Sequence, residues 1–508
     1  MRLHVRKAKV VEFGPATIML ALMVLLTDCV GETGSLLAPE RVEAQGFGSD
    51  ADKVWMLTTD VTRAYDLTVS HIEAGDTTDF PPFILKVVGN REYQTIDGFG
   101  AAITGATAFN LMKMEKADRE EFLKETFSVS DGFGMSYVRV PIGCSDFSLS
   151  EYTCCDTEGI ENFTLTTEET EYIIPVLKEI ALYNPSLKII AAPWTAPLWM
   201  KVDNLTDLRP CNSWTGGHLN PACYQDYAAY FVKWIRAFEA EGLPVYAITP
   251  QNEPLNYGNS ASMYMGWEEQ RDFIKSALGP AFREEGIGTK IYVFDHNYDY
   301  DNKEDQKGYP MKIYRDAEAS RYVAGAAFHN YGGDVGELET VHTAFPEKEL
   351  VFTEATAGDW NDGANLAARL IPDMERIALG TINRWARGAV VWNLMLDSNR
   401  GPNRPGGCTR GFGSVDLADD NKIIRRNSYY YIMAHMAWGT APGAMRVGTT
   451  GYSQTGLTYC AFRNPDRSFA LVMSNGTEGD LRLTVDDGVR RFPVTIPGKA
   501  IVTLKWRD

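Results

Sequence analysis

Short apolar runs alternate with amphipathic stretches along most of the chain from about Tyr93 onward. The stretches between the runs carry apolar residues at helical spacing. In residues 227–242, for example, Tyr230, Trp234 and Phe238 recur on one face. Eight such alternations predict an α/β fold in which parallel strands close into a (β/α)8 TIM barrel. In chain order the runs are YQTIDGFGAAIT, MSYVRVPIG, LKIIAAPWT, VYAITPQNE, KIYVFDHN, AGAAFHNY, LVFTEA and AVVWNLML.

The two ends of the chain have a different pattern. After Tyr430, short alternating strands separated by turn residues predict a small β-sandwich, and the β character of residues 53–70 predicts a strand pair that completes it. The predicted organisation is a signal peptide (1–30), an N-terminal segment that contributes strands to the sandwich (31–92), the barrel (93–429) and the C-terminal β-sandwich (430–508).

The N-terminus has the pattern of a secretory signal peptide. Basic residues precede the apolar run 16–27, which is too short to span a membrane. We therefore predict export to the periplasm, the cell surface or the extracellular space, with no transmembrane domain in the mature chain. Because Cys29 follows the run directly, a lipid anchor at this residue is an open alternative.

The cysteines that remain after the signal segment are odd in number, so at least one stays free. Cys211 and Cys223 bracket a polar loop and are the pair that we expect to form a disulfide in an oxidising compartment. Neither a CxxC pair nor an HExxH motif occurs, which gives little support to a zinc site. We expect no metal and no other cofactor.

Charge and aromatic content narrow the range of partners. The formal net charge of −18 disfavours nucleic acid and anionic membranes. Aromatic residues make up 11% of the chain, and their flat faces suit the C–H faces of sugar rings as well as a large core. Both observations fit a soluble protein that acts on an uncharged substrate.

The residues that end the predicted barrel strands form the candidate site, since active sites of TIM barrels lie at the C-terminal ends of the strands. Acids, amides, aromatics and histidines dominate these positions, a mixture that suits a polyhydroxylated, uncharged ligand. The candidates are Arg139, Asp146, Trp194, Asn252, Glu253, Asp295, His296, His329, Tyr331, Glu354 and Trp392.

Glu253 after the fourth run and Glu354 in the seventh are the strongest candidates for catalysis. Each follows a strand that should be buried, where an unpaired carboxylate is costly. Paired carboxylates on opposite sides of a sugar ring can cleave a glycosidic bond: one protonates the leaving oxygen, and the other attacks the anomeric carbon or activates water. In a pocket of neutral groups, burial and the second carboxylate should raise the pKa of the acid.

Each candidate also has a structural interpretation. Either glutamate could be an ion-pair partner of Arg139. The others could be core tryptophans (Trp194, Trp392), a loop cap (Asp146), a core histidine (His329) or ordinary loop residues (Asp295, His296). A metal-dependent hydrolase that uses His329, Asp295 and His296 is a further alternative.

Seven segments resemble, in order, the signature segments of glycoside hydrolase family 30, which contains glucosylceramidases and endo-β-1,6-glucanases. The resemblance spans residue 53 to the C-terminus and includes the small β-sandwich beside the barrel. The segments are IDGFGAAIT, VRVPIGCSDFS, AAPWTAPLWMK, TPQNEP, FHNY, FTEA and VWNLMLDSNRGPN.

The resemblance implies roles for the candidate residues. The family is a retaining one, so Glu253 would be the acid/base and Glu354 the nucleophile of a double displacement, with Asn252 holding the sugar 2-hydroxyl. The other predicted substrate-binding residues are Asp146, Trp194 and Trp392 around the non-reducing glucosyl unit, Arg139, His329 and Tyr331 on the nucleophile side, and Asp295 and His296.

The loops beyond the strands favour a polysaccharide substrate. A glucosylceramidase should surround its mouth with apolar residues for the lipid aglycone, whereas the loops here are polar and glycine-rich. Segments such as PLNYGNSASMYMGWEEQRDF and FDHNYDYDN also resemble the β-1,6-glucanase branch. We predict a secreted β-1,6-glucanase. A glucosylceramidase-type β-glucosidase and a non-catalytic glucan-binding protein are the alternatives.

Overall fold

The computed structural model describes residues 53–73 and 80–507. The predicted signal peptide and Cys29 lie outside these ranges. Within them, no helix combines the length and the apolar composition that crossing a bilayer requires.

Three strands precede the barrel and join the sheet that the C-terminal segment forms. β1 (Lys53–Asp60) pairs antiparallel with β2 (Thr68–Glu73) and, along its other edge, with the last strand of the chain. β3 (Ile84–Thr95) enters the same sheet. The strand pair predicted near residues 53–70 is therefore present, and it ties the two ends of the described chain together.

Eight parallel strands close into the barrel, and each arises from one of the eight apolar runs in the predicted order. The predicted fold class is confirmed. The interior is filled by side chains such as Tyr137, Ile190 and Tyr292. The strands from this region are β4 (Gly98–Ala102), β5 (Tyr137–Pro141), β6 (Lys188–Ala192), the outlying hairpin β7 (Lys201–Val202) and β8 (His218–Leu219), then β9 (Val245–Ile248), β10 (Lys290–Asn297), β11 (Gly325–His329), β12 (Glu349–Glu354) and β13 (Ala386–Asn393).

Helices cover the outside of the barrel. The helix predicted within residues 227–242 buries Tyr230, Trp234 and Phe238 as expected, and Gly242 just beyond its end has φ = 81°, a conformation that favours glycine. The helices are α1 (Gly105–Lys113), α2 (Lys116–Phe127), α3 (Ile174–Tyr183), α4 (Tyr224–Ala240), α5 (Trp267–Phe273), α6 (Gly279–Glu284), α7 (Tyr309–Arg315), α8 (Ala317–Ser320), α9 (Glu337–Ala344), α10 (Leu366–Asp373), α11 (Leu379–Ile382) and α12 (Ser428–Gly439).

The C-terminal strands form a nine-stranded, mostly antiparallel sheet with β1, β2 and β3, and a small three-stranded sheet precedes it. The remaining strands are β14 (Met395–Asp397), β15 (Val415–Leu417), β16 (Ile423–Arg426), β17 (Met445–Gly451), β18 (Leu457–Arg463), β19 (Phe469–Asn475), β20 (Leu481–Asp486), β21 (Arg491–Ile496) and β22 (Ala500–Trp506). The order in the nine-stranded sheet is β2-β1-β22-β19-β18-β17-β3-β20-β21.

Helix α12 lies between the barrel and this sheet. All of its residues are buried, as expected for a helix with apolar contacts on every side, and it packs against both β4 and β22. The two ring nitrogens of its His435 form hydrogen bonds of 2.9 Å with the hydroxyls of Thr59 and Thr503. The barrel and the sandwich therefore share one continuous core through α12.

The predicted disulfide is absent, because Cys211 and Cys223 are both free thiols. Cys211 donates its backbone N–H to Lys201 O at 3.0 Å and packs against Gly217, beside the hairpin of β7 and β8. Cys223 lies in the turn that starts α4. The prediction was wrong because proximity in sequence does not bring two thiols into bonding geometry.

Candidate active site

The two glutamates predicted from the sequence lie side by side at the C-terminal end of the barrel. Glu253 comes five residues after β9, and Glu354 is the last residue of β12. Both are nearly buried, with 5% and 6% exposure, and an oxygen of each carboxylate lies within 4.8 Å of the other. The backbone of Glu253 has φ = 43°, which is costly for a residue with a side chain and often accompanies a functional site.

Arg139 and Tyr331 hold the carboxylate of Glu354. Arg139 Nη1 donates to Oε2 at 2.5 Å, and the Tyr331 hydroxyl donates to Oε1 at 2.8 Å. Burial raises the pKa of Glu354 above its ordinary value. The positive charges of His329 and Arg139 act against this rise, and the charge of Glu253 adds to it.

Two asparagines and a histidine surround the carboxylate of Glu253. Asn256 and Asn259 donate their side-chain amides to Oε2 at 2.8 and 2.7 Å, and His329 Nδ1 lies 3.2 Å from Oε1. Burial alone would raise the pKa of Glu253, but the hydrogen bond from His329 and the charge of His296 help to lower it to about 2.

Asp295 binds Arg139 and His329 from beneath the two glutamates. Its carboxylate accepts from Arg139 Nη2 at 2.7 Å and lies 3.0 Å from His329 Nε2, while Thr249 and Thr353 donate their hydroxyls to it. Burial would raise the pKa of Asp295, but the charges of Arg139 and His329 hold it well below its usual range. Asp295 therefore stays ionised and neutralises part of the positive charge at the site.

His329 lies between the carboxylates. Its Nδ1 atom is 3.2 Å from Glu253 Oε1 and 4.0 Å from Glu354 Oε1. Burial would lower its pKa, but the charges of Glu354 and Asp295 raise it to about 9. The ring is thus an imidazolium at neutral pH. It lies closer to Glu253 than to Glu354, the nucleophile candidate on whose side the family resemblance placed it.

The expected rise in the pKa of Glu253 is not found in the unliganded site. That expectation assumed neutral neighbours, whereas the structure places the charged ring of His329 against Glu253. In the unliganded site the pKa of Glu253 is lowered and that of Glu354 is raised.

The two predicted tryptophans line the wall of the site as a stacked pair. The rings of Trp194 and Trp392 are 5.0 Å apart at 25°, and the Arg139 guanidinium lies 4.9 and 5.3 Å from their centroids. Both are almost fully buried. Stacking on aromatic faces restricts the guanidinium to the geometry in which it holds Glu354.

Two matches to known families decide the identity of the chain. The glycosyl hydrolase family 30 TIM-barrel domain matches residues 96–438, and the glycosyl hydrolase family 30 beta sandwich domain matches residues 443–504. The chain belongs to glycoside hydrolase family 30. This family-30 chain is a glycoside hydrolase, and its substrate is a glycan.

Relatives of the family-30 hydrolase include enzymes of two different activities. An endo-1,6-beta-D-glucanase of Neurospora crassa is 32% identical over 474 residues, covering 89% of this chain and 92% of the relative. The lysosomal acid glucosylceramidase of Mus musculus is 28% identical over 474 residues, covering 88% and 87%. Among solved structures, the endo-beta1,6-glucanase BT3312 is 57% identical with a TM-score of 0.88, covering 90% of this chain and 99% of that one.

Asp146 and Asn252 offer polar atoms to a ligand of the family-30 hydrolase. Asn252 Oδ1 accepts from Arg139 Nη2 at 2.8 Å. The side-chain N–H₂ of Asn252 is therefore directed away from Arg139. Asp146 Oδ1 is buried without a hydrogen-bond partner among the described residues. Burial and the charges of Glu354 and Glu253 raise the pKa of Asp146 to about 8. A buried carboxyl oxygen without a partner is ready to form a hydrogen bond with a sugar hydroxyl.

Asp295 and His296, which were predicted to bind substrate, are both bonded to other residues of the site of the family-30 hydrolase. Asp295 is fully buried among its four side-chain partners. His296 is 1% exposed, with Nε2 3.1 Å from Asp301 and Nδ1 accepting from the backbone of Leu255 at 3.4 Å. Burial lowers the pKa of His296. Through these contacts both residues position their neighbours.

A metal ion fits this arrangement poorly. One atom each of Glu253, His329 and Glu354 could approach a common ion. The His329 ring, however, is an imidazolium with a carboxylate at each nitrogen, so it has no free lone pair for a metal. The guanidinium of Arg139 beside Glu354 would also repel a cation. The donor set fits acid–base chemistry, which disfavours the metal-dependent alternative.

Sequence reasoning missed several residues that shape the site. Asn256 and Asn259 follow Glu253 in the polar stretch PLNYGN, a signal that points to a loop but not to the glutamate. Arg404 is fully buried and joins three loops: it donates to Ser145 O at 3.1 Å, to Glu151 at 2.7 Å and to the hydroxyl of Ser260 at 2.8 Å. Its run of neighbours, GPNRPGG, indicates only a turn.

Proposed function

We propose that this family-30 hydrolase is a retaining β-1,6-glucanase that acts by double displacement. The observation that carries the proposal is the spacing of the two glutamates, whose nearest oxygens lie within 4.8 Å. Retaining glycosidases have carboxyl groups about 5–5.5 Å apart, and inverting enzymes about 6.5–9.5 Å apart to admit a water molecule. The short spacing supports attack by one carboxylate on the sugar itself.

Glu354 is the proposed nucleophile. Its hydrogen bonds from Arg139 and Tyr331 orient the carboxylate and stabilise its charged form. Attack on the anomeric carbon breaks the glycosidic bond and forms a glycosyl ester at Glu354. Glu253 protonates the leaving oxygen, then accepts a proton from the water that hydrolyses the ester.

Glu253 has to gain a proton before the bond breaks, because its pKa is lowered to about 2 in the unliganded site. His329 Nδ1 lies 3.2 Å from Glu253 Oε1. Transfer of the Nδ1 proton from His329 to Glu253 leaves the acid protonated and the imidazole neutral.

Asn252 and Asp146 are the proposed sugar-binding groups. With its carbonyl oxygen engaged by Arg139, Asn252 has its amide N–H₂ to donate to the 2-hydroxyl, a contact that strengthens in the transition state. The carboxyl of Asp146, which lacks a protein partner at Oδ1, binds another hydroxyl of the same ring.

The choice of a β-1,6-glucan rests on the relatives and on the loops. The solved structure of an endo-beta1,6-glucanase is 57% identical over nearly the whole described chain, whereas the glucosylceramidase of Mus musculus is 28% identical. The loops beyond the barrel strands are polar and glycine-rich, which suits a polysaccharide better than a lipid aglycone. We also propose export, as the N-terminal pattern indicates, and N-terminal sequencing of the mature protein tests it.

The proposal is tested by a hydrolysis screen over β-1,6-glucan, β-1,3-glucan, xylan and glucosylceramide, with product lengths recorded. We expect oligosaccharides from β-1,6-glucan and a loss of at least about 10³-fold in kcat for Glu354→Gln, with an unchanged thermal unfolding midpoint. Release of sugar from glucosylceramide alone would refute the substrate. Full activity of Glu354→Gln would refute the nucleophile, and binding of glucan without any product would indicate a non-catalytic protein.

A further inference from the structure

Tyr257 presents an aromatic ring to solvent on the loop that follows β9. It is 48% exposed, which is unusual for a large ring within an otherwise ordered loop. The catalytic proposal assigns no role to this ring. Its surroundings show that it is held in place.

One face of the Tyr257 ring is covered and the ring is fixed. It stacks on Tyr264 with centroids 4.6 Å apart and an interplanar angle of 8°. Tyr264 in turn donates its backbone N–H to Gly217 at 2.9 Å and packs edge-on against His218 at 5.2 Å. Lys303 Nζ lies 5.3 Å from the Tyr257 ring. The exposed surface of Tyr257 therefore belongs to its other face and edges.

The same loop carries the contacts to the proposed acid/base. Asn256 and Asn259, which flank Tyr257 in sequence, both donate to Glu253 Oε2. Ser262 donates its hydroxyl to the backbone oxygen of Tyr257 at 3.2 Å. Tyr257 thus directly follows Asn256, a residue that binds the carboxylate proposed to serve the leaving oxygen.

We propose that the open face of Tyr257 is a binding subsite for a sugar unit on the leaving-group side of the bond. This inference rests on the proposed role of Glu253 as acid/base. A pyranose ring offers a flat apolar face of C–H groups, and a rigid aromatic ring supplies contact area at low entropic cost. The ligand class is an uncharged hexose unit of the glucan. Stacking there supplies binding energy away from the reacting bond. This energy lowers the reaction barrier for a long glucan chain relative to that for a short substrate.

The test compares two substrates that differ in the leaving group. A β-1,6-linked gluco-oligosaccharide places a sugar on Tyr257, whereas methyl β-D-glucoside has no sugar there but still needs its leaving oxygen protonated. For Tyr257→Ala we expect kcat/KM on the oligosaccharide to fall about tenfold, which corresponds to about 1.4 kcal/mol. On the methyl glucoside we expect a change of less than about twofold. Tyr257→Phe keeps the ring and should resemble the wild type.

The matched control is Tyr65→Ala, which removes a ring of similar exposure, 43%, from the turn between β1 and β2. This variant should hydrolyse both substrates with the kcat/KM of the wild type. Unchanged hydrolysis of the oligosaccharide by Tyr257→Ala would overturn the subsite, and so would an equal fall on both substrates, since that would indicate damage to the acid/base loop. A wild-type protein that cleaves neither substrate would instead refute the proposed function itself.

Discussion

At the residue scale, the site is organised by a chain of charges that runs from Arg139 through Asp295 to His329. Arg139 and His329 are buried cations, and Asp295 is bonded to both. Buried charges are costly unless each has a partner. The chain satisfies this requirement while placing one cation against each proposed catalytic carboxylate.

His329 makes stability depend on pH in a defined direction. Its folded-state pKa is raised from 6.5 to about 9, so its contacts with Glu253 and Asp295 stabilise the fold fully below the unfolded value. This contribution, at most about 3 kcal/mol, is lost as the pH rises through the folded value. We expect the free energy of unfolding to fall between about pH 6.5 and pH 9, as measured by denaturant titration.

The control for this prediction is His329→Gln, which keeps a polar side chain but does not titrate. The difference in stability between wild type and variant should shrink as the pH rises through this window. A difference that stays constant would show that His329 is neutral in the fold. Comparison with the variant also removes the contributions of Asp146 and Lys201, whose pKa values are about 8.

Residue-level detail was the part that sequence could not predict. Glu253 and Glu354 were identified because each follows an apolar run, a pattern that strand geometry imposes. Asp295 and His296 followed such a run equally well, yet both are engaged by neighbouring protein groups. A bulge in β10 between Phe294 and His296 re-aims these side chains, and a one-residue irregularity of this kind leaves no periodic signal.

At the scale of elements, the loop between β14 and β15 is fastened to its neighbours by Arg404. Its guanidinium joins the loop after β5, through Ser145 and Glu151, to the loop after β9, through Ser260. The proposed sugar-binding residue Asp146 lies in the first of these loops. The walls of the pocket therefore depend on one buried cation.

Arg404→Met should loosen these walls without unfolding the barrel. We expect kcat/KM on the glucan to fall about tenfold through a higher KM, together with faster amide hydrogen exchange in residues 398–414. Arg410→Met is the control, because Arg410 lies in the same loop with a side chain that is 61% exposed. If Arg404→Met shows the amide hydrogen exchange and the kcat/KM of the wild type, the hydrogen bonds of Arg404 have no role in shaping the pocket.

The barrel and its strand order, by contrast, could be predicted from the sequence. Each of the eight runs is a buried parallel strand, and such strands are nearly continuous in apolar residues because both faces are covered. The order of the sandwich strands in the nine-stranded sheet could not be predicted from the sequence, because pairing between distant strands is decided by packing. The free thiols of Cys211 and Cys223 show the same limit, because spacing alone does not report distance.

At the scale of the whole molecule, β1 joins the beginning and the end of the described chain. It pairs with β22 over six residue pairs from Trp55 to Asp60, and Thr59 reaches His435 in α12. The barrel and the sandwich share a core at this helix. The N-terminal strands are therefore part of the support of the barrel.

Removal of residues 1–73 should strongly destabilise the protein. We expect a thermal midpoint lower by about 10 °C or more, with aggregation through the exposed edge of β22, as measured by calorimetry and light scattering. Removal of residues 1–52 alone is the control and should leave the midpoint unchanged. A shorter chain without β1 and β2 that unfolds at the wild-type midpoint would contradict a shared core.

The central claim is that hydrolysis proceeds through a glycosyl ester at Glu354. Incubation with 2-deoxy-2-fluoro-β-D-glucosyl fluoride, followed by proteolysis and mass spectrometry, tests it directly, because the 2-fluoro group slows hydrolysis of the ester more than its formation. We predict a fluoroglucosyl adduct on the peptide that contains Glu354 and on no other. An adduct at Glu253, or turnover of the reagent without any adduct, would contradict the account.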